Sequence, residues 1–170
     1  MAKPVVLQTE RLTLRAARMD DLDDLFAVMS HPEGMAYWST PPHESVAVTR
    51  PWLTGMVENE QAGPLVDFML EYEGRAVGTA GCFKLPEIGY NLRRDLWGRG
   101  LASEALGAII PHVFASHPVD ALTADVDPRN ARSLRLLERL GFERTGFARD
   151  TFCVAGEWVD SIYLTLRRAT

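Results

Sequence analysis

The chain has 170 residues, 46% of them hydrophobic and 24% charged, a composition that suits one soluble domain burying about 70% of its unfolded surface. A net charge of −5 argues against general nucleic-acid binding, which calls for a basic face. No apolar run approaches the roughly 18 residues of a membrane span, and the first residues lack a signal-peptide core, so a cytoplasmic protein is expected.

Residues 5–16 (VVLQTERLTLRA) alternate apolar and polar side chains about Leu12 and Leu14, which predicts a first strand. The segment MDDLDDLFAVM then spaces Leu22, Leu25, Phe26 and Met29 along one helical face, with acids crowding its first turn. Residues 31–42 concentrate Pro, Gly and Ser and read as a loop, and 43–60 read as a second helix that Pro51 must begin or kink. The period next drops to two. LVDFMLEY places Val66, Phe68, Leu70 and Tyr72 on one face, EGR turns, AVGTAGCF returns, and PEIGYNL continues as an antiparallel strand.

Residues 99–115 form the strongest helix pattern, with Ala102, Ala105, Leu106, Ile109, Ile110, Val113 and Phe114 in one apolar stripe ended near Pro118. ALTADV reads as a buried strand, NARSLRLLERL as an amphipathic helix stopped by Gly141, and the tail as two further strands. The predicted order is β-α-α-β-β-β-α-β-α-β-β, an α/β sandwich with helices on both faces of a mixed sheet. Cys82 and Cys153 are the two cysteines, and with His31, His43, His112 and His117 they show no metal-ligand spacing. No metal and no cysteine nucleophile are expected, the thiols should stay reduced, and most of the histidines should lie at the surface.

The stretch DLWGRGLASEAL sets Gly98 and Gly100 at the mouth of the strongest helix. A helix start exposes unpaired N–H groups and carries about half a positive charge, and glycines let that backbone approach an anion closely. Arg93, Arg94 and Arg99 add positive charge, so a phosphate cradle is one reading; a tight strand-to-helix turn is the other. A P-loop is excluded because no G-K-[ST] follows. A Rossmann turn is excluded because Ser103 stands where its third glycine belongs.

Trp97-Gly98-Arg99-Gly100-Leu101-Ala102 resembles the Gln/Arg-x-x-Gly-x-Gly/Ala signature of the GNAT superfamily of acyl-CoA-dependent N-acyltransferases, matching at Gly100 and Ala102 and departing at Trp97. Tryptophan there, with EIGYNL before it and SEAL after it, is similar to the RimJ/RimL-like branch that contains ribosomal-protein-alanine acetyltransferases. The opening TERLTLR and the later Asn130, Ser133, Glu138, Gly141 and Phe142 resemble the same branch, in matching order over residues 8–167.

The resemblance implies one N-acetyltransferase domain over residues 1–170, an α/β (α+β) sandwich with a mixed, mostly antiparallel sheet of about seven strands splayed between strands 4 and 5. It implies acetyl-CoA as co-substrate, its pyrophosphate held by Trp97, Gly98, Arg99, Gly100, Leu101 and Ala102. Leu92 would bind the pantetheine arm through its backbone and direct an N–H at the thioester oxygen. Asn130 would bond the same arm, although as a residue it is equally a helix N-cap.

For catalysis the resemblance points to Glu87 as the base; its residue-level alternative is a solvated carboxylate at a strand start. Relatives often have a tyrosine general acid four residues after Ser133, where this chain has Leu137. Ser133, a water, or unassisted thiolate release must then serve. Trp38 and Tyr90, with His43 and Trp52, would line the acceptor site; Trp38 and Trp52 read equally well as core aromatics. Asp160 and Tyr163 match the branch without an assignable role beyond packing or acceptor contact.

The reaction implied is acetyl transfer to a primary amine, on a protein N-terminus or a small molecule, by direct attack in a ternary complex. No nucleic-acid or membrane partner is implied, and monomer and homodimer stay open. The alternatives are a catalytically inactive acyl-CoA-binding sensor and, on the glycine pair alone, a nucleotide-binding regulatory domain.

Overall fold

The computed structural model describes residues 4–60 and 64–170. The segment that alternates from residue 5 to 16 forms two strands, β1 (Leu7–Gln8) and β2 (Leu12–Arg15), which pair antiparallel. The reversal comes from Thr9, whose N–H donates to the Leu12 carbonyl at 2.9 Å while its hydroxyl accepts the Leu12 N–H at 3.0 Å. A local side-chain bond thus overrides the alternation. Two helices follow, α1 (Leu22–Met29) and α2 (Val46–Glu60), the latter carrying Pro51 inside rather than at its start.

The hairpin of β3 (Asp67–Tyr72) and β4 (Arg75–Lys84) turns at Glu73 and Gly74, with φ of +50° and +77°, the positive pair that tight hairpin turns use. Next come β5 (Glu87–Leu92), α3 (Leu101–Ser116), β6 (Ala121–Val126), α4 (Ala131–Arg139), β7 (Glu143–Val154) and β8 (Glu157–Arg167).

The sheet has eight strands in the order β1-β2-β3-β4-β5-β6-β8-β7. The count exceeds the expected seven because the first predicted strand is two. Every pairing is antiparallel except β5–β6, which is parallel and spans a single register pair, Glu87 with Thr123. The Thr123 N–H donates to the Pro86 carbonyl at 3.0 Å, and beyond that point β5 and β6 diverge. The expected splay therefore lies between β5 and β6.

Apolar clusters cover both faces. Leu22, Leu25 and Met29 of α1 with Leu53 and Met56 of α2 pack on Met69 and Ala76. On the other face Leu101, Leu106, Ile109 and Val113 of α3 and Leu134 and Leu137 of α4 pack on Phe68, Leu70, Val77 and Leu122. Strand β3 thus buries Met69 as well as its predicted face, because α1 and α2 close the side that alternation alone would leave to solvent.

Candidate active site

The turn between β5 and α3 holds Gly98 at φ +79° and Gly100 at φ +77°, a backbone state that costs other residues roughly 1–2 kcal/mol. A Cβ at Gly98 would meet nothing within 4 Å, and one at Gly100 only the Arg11 guanidinium at 3.6 Å. Conformation, not crowding within the protein, requires these glycines. The first helical bond runs from the Glu104 N–H to the Gly100 carbonyl at 3.0 Å. The N–H groups of Leu101, Ala102 and Ser103 therefore head the helix ahead of any intrahelical acceptor, at the positive end of its dipole.

Trp97 fastens this turn. Its indole Nε1–H donates to the Leu92 carbonyl at 2.8 Å, and its ring lies between the guanidinium groups of Arg94 at 4.6 Å and Arg132 at 5.1 Å. A second brace comes from the start of the chain. Glu104 accepts the Thr9 hydroxyl at 2.6 Å, the Arg11 N–H at 2.7 Å and Arg11 Nε at 2.8 Å, while Arg11 Nη1 donates to the Arg99 carbonyl at 2.9 Å.

Burial alone would raise the Glu104 carboxyl, but the Thr9 and Arg11 donors outweigh it and hold it below the usual range. The TER and SEAL segments, matched only as patterns in the sequence, are one contact. Glu104→Ala leaves the Arg11 N–H, Nε and Nη2 donors without that acceptor, and a loss of about 1–2 kcal/mol in urea unfolding is expected, together with weaker binding at the turn.

Two clefts open about the splay and meet. The first, about 700 Å³, is lined by Leu92, Trp97, Gly98, Gly100, Leu101 and Ala102, with Arg132, Arg135 and Arg139 of α4 opposite. Arg94 is paired with Glu33, but Arg132, Arg135 and Arg139 have no ion pair among the described residues. The cleft is therefore basic, a surface whose charge and donors suit an anion. The Arg99 side chain is not among its lining, and Arg93 is engaged by Asp95 at 2.6 Å; the basic charge comes from α4 instead.

Backbone polarity of the cleft follows from sheet register. The Arg93 N–H donates to the Val77 carbonyl at 2.7 Å. By antiparallel alternation, the peptide groups of Leu92 and Tyr90 face away from β4, into the splay. The indole of Trp97 takes the Leu92 carbonyl, so Leu92 presents its N–H there.

Tyr90, Asn130 and Ser133 line both clefts and mark their junction. The Tyr90 hydroxyl donates to Ser133 Oγ at 2.6 Å, and the Ser133 N–H donates to Asn130 Oδ1 at 3.2 Å. Asn130 is therefore the N-cap of α4 and stands at the junction as well. Burial pushes the Tyr90 phenol up, against the opposing effects of the Ser133 bond and the Arg132 and Arg139 charges. Leu137 is buried and lines the second cleft without a polar group to offer.

The second cleft, about 620 Å³, has Trp38, Trp52 and Phe83 together with Asp67, Glu87 and Asp125 in its lining. Burial, helped by Asp125 and opposed by Lys84, pushes the Glu87 carboxyl up. Asp67 was not singled out in the sequence. A Cβ at Gly81, where φ is +139°, would run into the Val66 carbonyl and come within 2.7 Å of Asp67 Cα, so glycine there lets β4 close tightly on β3 beside Asp67. Burial pushes the Asp67 carboxyl up to about 7. Cys82 is pushed up to about 12 by burial and by the charges of Asp67 and Glu87, which makes it an inert thiol rather than a nucleophile.

Because folding raises the Asp67 pKa, the folded chain holds that proton more tightly than the unfolded chain. Stability is then full below the ordinary aspartate range and is lost as pH rises toward 7. Asp67→Asn is expected to stabilise the protein by about 2 kcal/mol at pH 8, a figure discounted for access of cleft water, and by almost nothing at pH 4. Urea unfolding at the two pH values checks this; equal gains at both would contradict a buried charge.

Two expectations fail. His43 does not line the acceptor-side cleft: it is 7% exposed, its Nδ1 lies 2.8 Å from Thr49 Oγ1, and it packs edge-on behind Trp52. Nor are the histidines surface residues, since His112 Nε2 bonds the Leu65 carbonyl at 2.8 Å and His31 and His117 are half-buried. Polar partners inside the fold, invisible to spacing, hold them there. Asp160 lines the second cleft and accepts the Asp150 N–H at 2.9 Å, whereas Tyr163 is exposed outside it.

The split sheet thus carries a basic cleft under a helix N-terminus, joined at polar side chains to an acidic and aromatic one. A model of the acetyltransferase (GNAT) domain matches residues 11–143. The chain is 32% identical over 168 residues to the uncharacterized N-acetyltransferase p20 of Bacillus licheniformis, covering 94% of each. It is 31% identical over 177 aligned positions to the ribosomal protein uS5-alanine N-acetyltransferase of Escherichia coli strain K12, covering 95% of this chain and 90% of that one. The microcin C7 self-immunity acetyltransferase MccE, solved in complex with acetyl-CoA and AMP, shares the fold with a TM-score of 0.78 at 16% identity, over 94% of this chain and 93% of that one. The chain belongs to the GNAT acetyltransferase family. It is an N-acetyltransferase, with relatives that include ribosomal-protein-alanine acetyltransferases.

Proposed function

We propose that the protein, acting as one domain over residues 1–170 in the cytoplasm, transfers the acetyl group of acetyl-CoA to a primary amine by direct attack in a ternary complex. The observation that carries this reading is the junction: Tyr90, Asn130 and Ser133 stand where a basic cleft and an acidic cleft meet. Acetyl-CoA fits the first cleft on chemical grounds. Its pyrophosphate suits the N–H groups from Gly98 to Ser103, and its remaining phosphate suits the unpaired guanidinium groups of α4. The pantetheine arm would run along β5, with the Leu92 N–H toward the thioester oxygen and Asn130 against the arm.

The amine enters from the second cleft, and Glu87 takes its proton; a carboxyl raised above its ordinary range is better suited to that work than a free one. The amine nitrogen bonds the acetyl carbon, the oxygen charge is met by the Leu92 N–H, and the C–S bond breaks with its electron pair on sulphur. The Tyr90 hydroxyl donates to Ser133, so as the Ser133 hydrogen goes to the thiolate the Tyr90 hydrogen moves onto Ser133, and the second proton of the acylated nitrogen, released through water, restores Tyr90. This arrangement stands in for the tyrosine that Leu137 replaces.

Thiol release from acetyl-CoA, followed with and without added amines, tests the reading. Amine-dependent release with thermal stabilisation by acetyl-CoA, but not by NAD or ATP, is expected. Stabilisation without release for any amine would instead favour a binding-only sensor, which the family match does not support.

A further inference from the structure

The lining of the second cleft is of two kinds, aromatic and acidic. Trp52 stacks on Phe83 with centroids 5.8 Å apart and planes at 17°, and Trp38 tilts against Trp52 at 5.7 Å. Phe83, stacked by Trp52, is still left 65% exposed at the cleft. Three of the cleft's acids are already engaged: Asp127 and Glu157 hold Arg129, and Asp160 accepts the Asp150 N–H. Asp67 and Glu87 have no hydrogen-bond or ion-pair partner among the described residues, and Lys84 is the nearby cation, acting on Glu87. A cleft carboxylate without a counter-ion calls for a cation, and an aromatic pair open to the same cleft calls for a flat apolar group.

We propose that the acceptor is an aryl-bearing primary amine with no carboxylate next to its nitrogen: Asp67 receives the ammonium and the Trp52–Phe83 pair receives the ring. The proposal rests on the acetyltransferase reading of this cleft and adds Asp67 to it as the binding residue that holds the amine before Glu87 removes its proton. Asp67, which has no counter-ion among the described residues, and Glu87 repel a further carboxylate, so an α-amino acid is disfavoured by charge while the same skeleton lacking its carboxylate is admitted. The aromatic lining supplies the second half of the discrimination, against amines of similar charge without a ring.

Calorimetric titration of the full chain, free and saturated with CoA, tests this with 2-phenylethylamine, L-phenylalanine and n-butylamine as probes. The expected result is binding of 2-phenylethylamine at least about tenfold tighter than of either other probe. Asp67→Asn should weaken the 2-phenylethylamine complex by about tenfold or more and narrow its advantage over phenylalanine. Phe83→Ala, a change at an exposed side chain, should narrow the advantage over butylamine and leave the one over phenylalanine intact.

Phenylalanine binding as tightly as 2-phenylethylamine, no binding of 2-phenylethylamine, or an unaltered affinity in a folded Asp67→Asn protein would each overturn the proposal. The CoA titration reads the donor site separately. CoA binding with no preference among the amines refutes this acceptor and spares the acetyltransferase reading, whereas absent CoA binding refutes that reading.

Discussion

Gly100→Val is expected to weaken CoA binding by at least about thirtyfold while leaving the core folded. Gly100 sits at φ +77° as the residue before the first turn of α3. A β-branched residue there pays roughly 1–2 kcal/mol to hold the same backbone, or else turns away and re-aims the N–H groups of Gly100 and Leu101. The turn is exposed and a Cβ meets no backbone of its own chain, so the penalty falls on whatever the turn is shaped to hold. The anion loses charge-assisted bonds whose donors no longer converge. Calorimetry with CoA, alongside thermal unfolding, separates the two effects: an affinity within about twofold of wild type would refute the cradle, even if the melting temperature drops.

Glu87→Gln is expected to lower kcat by about a hundredfold, the usual scale for removing a general base, with CoA affinity almost unchanged. Glu87 lines the acceptor-side cleft and not the basic one, so the substitution removes proton acceptance without touching the donor's phosphates. A pH profile gives the sharper reading. The base works when deprotonated, and burial with the Asp125 charge raises its carboxyl. The wild-type rate should therefore fall on the acid side above the ordinary glutamate range, as pH drops through that raised pKa. In Glu87→Gln this limb should disappear together with the rate. A variant that keeps both would remove Glu87 from the chemistry and leave Asp67, whose carboxyl is raised further, as the base to test.

Local signals were legible in the sequence and distant ones were not. The α3 stripe, the period-two hairpin and the glycines at Gly98 and Gly100 are each written within one or two turns of chain, and they stand where the pattern put them. The division of the first strand was not legible, because it depends on the Thr9 side chain bonding Leu12 rather than on hydropathy. The brace of Glu104 on Arg11 joins residues 93 positions apart, and no periodicity spans that distance.

In the candidate site the same rule applies. Asn130 was readable as a cap and is one. Arg132, Arg135 and Arg139 look in sequence like the solvated face of an amphipathic helix, and only the divergence of β5 from β6 turns that face onto a cleft. Asp67 carries no motif, being one acid at the start of a strand. Its character comes from Gly81, which draws β4 against it. His43 shows the converse, a histidine near the acceptor region whose partner, Thr49, is internal. Trp97, a departure from the family pattern, has a visible task in tying the glycine turn to Leu92.

A crystal structure of the protein with CoA tests the donor site at once. The pyrophosphate is expected against the N–H groups from Gly98 to Ser103, the pantetheine arm between β5 and β6, and the sulphur beside Ser133 and Tyr90. CoA found elsewhere, or with its sulphur away from that junction, would contradict that placement.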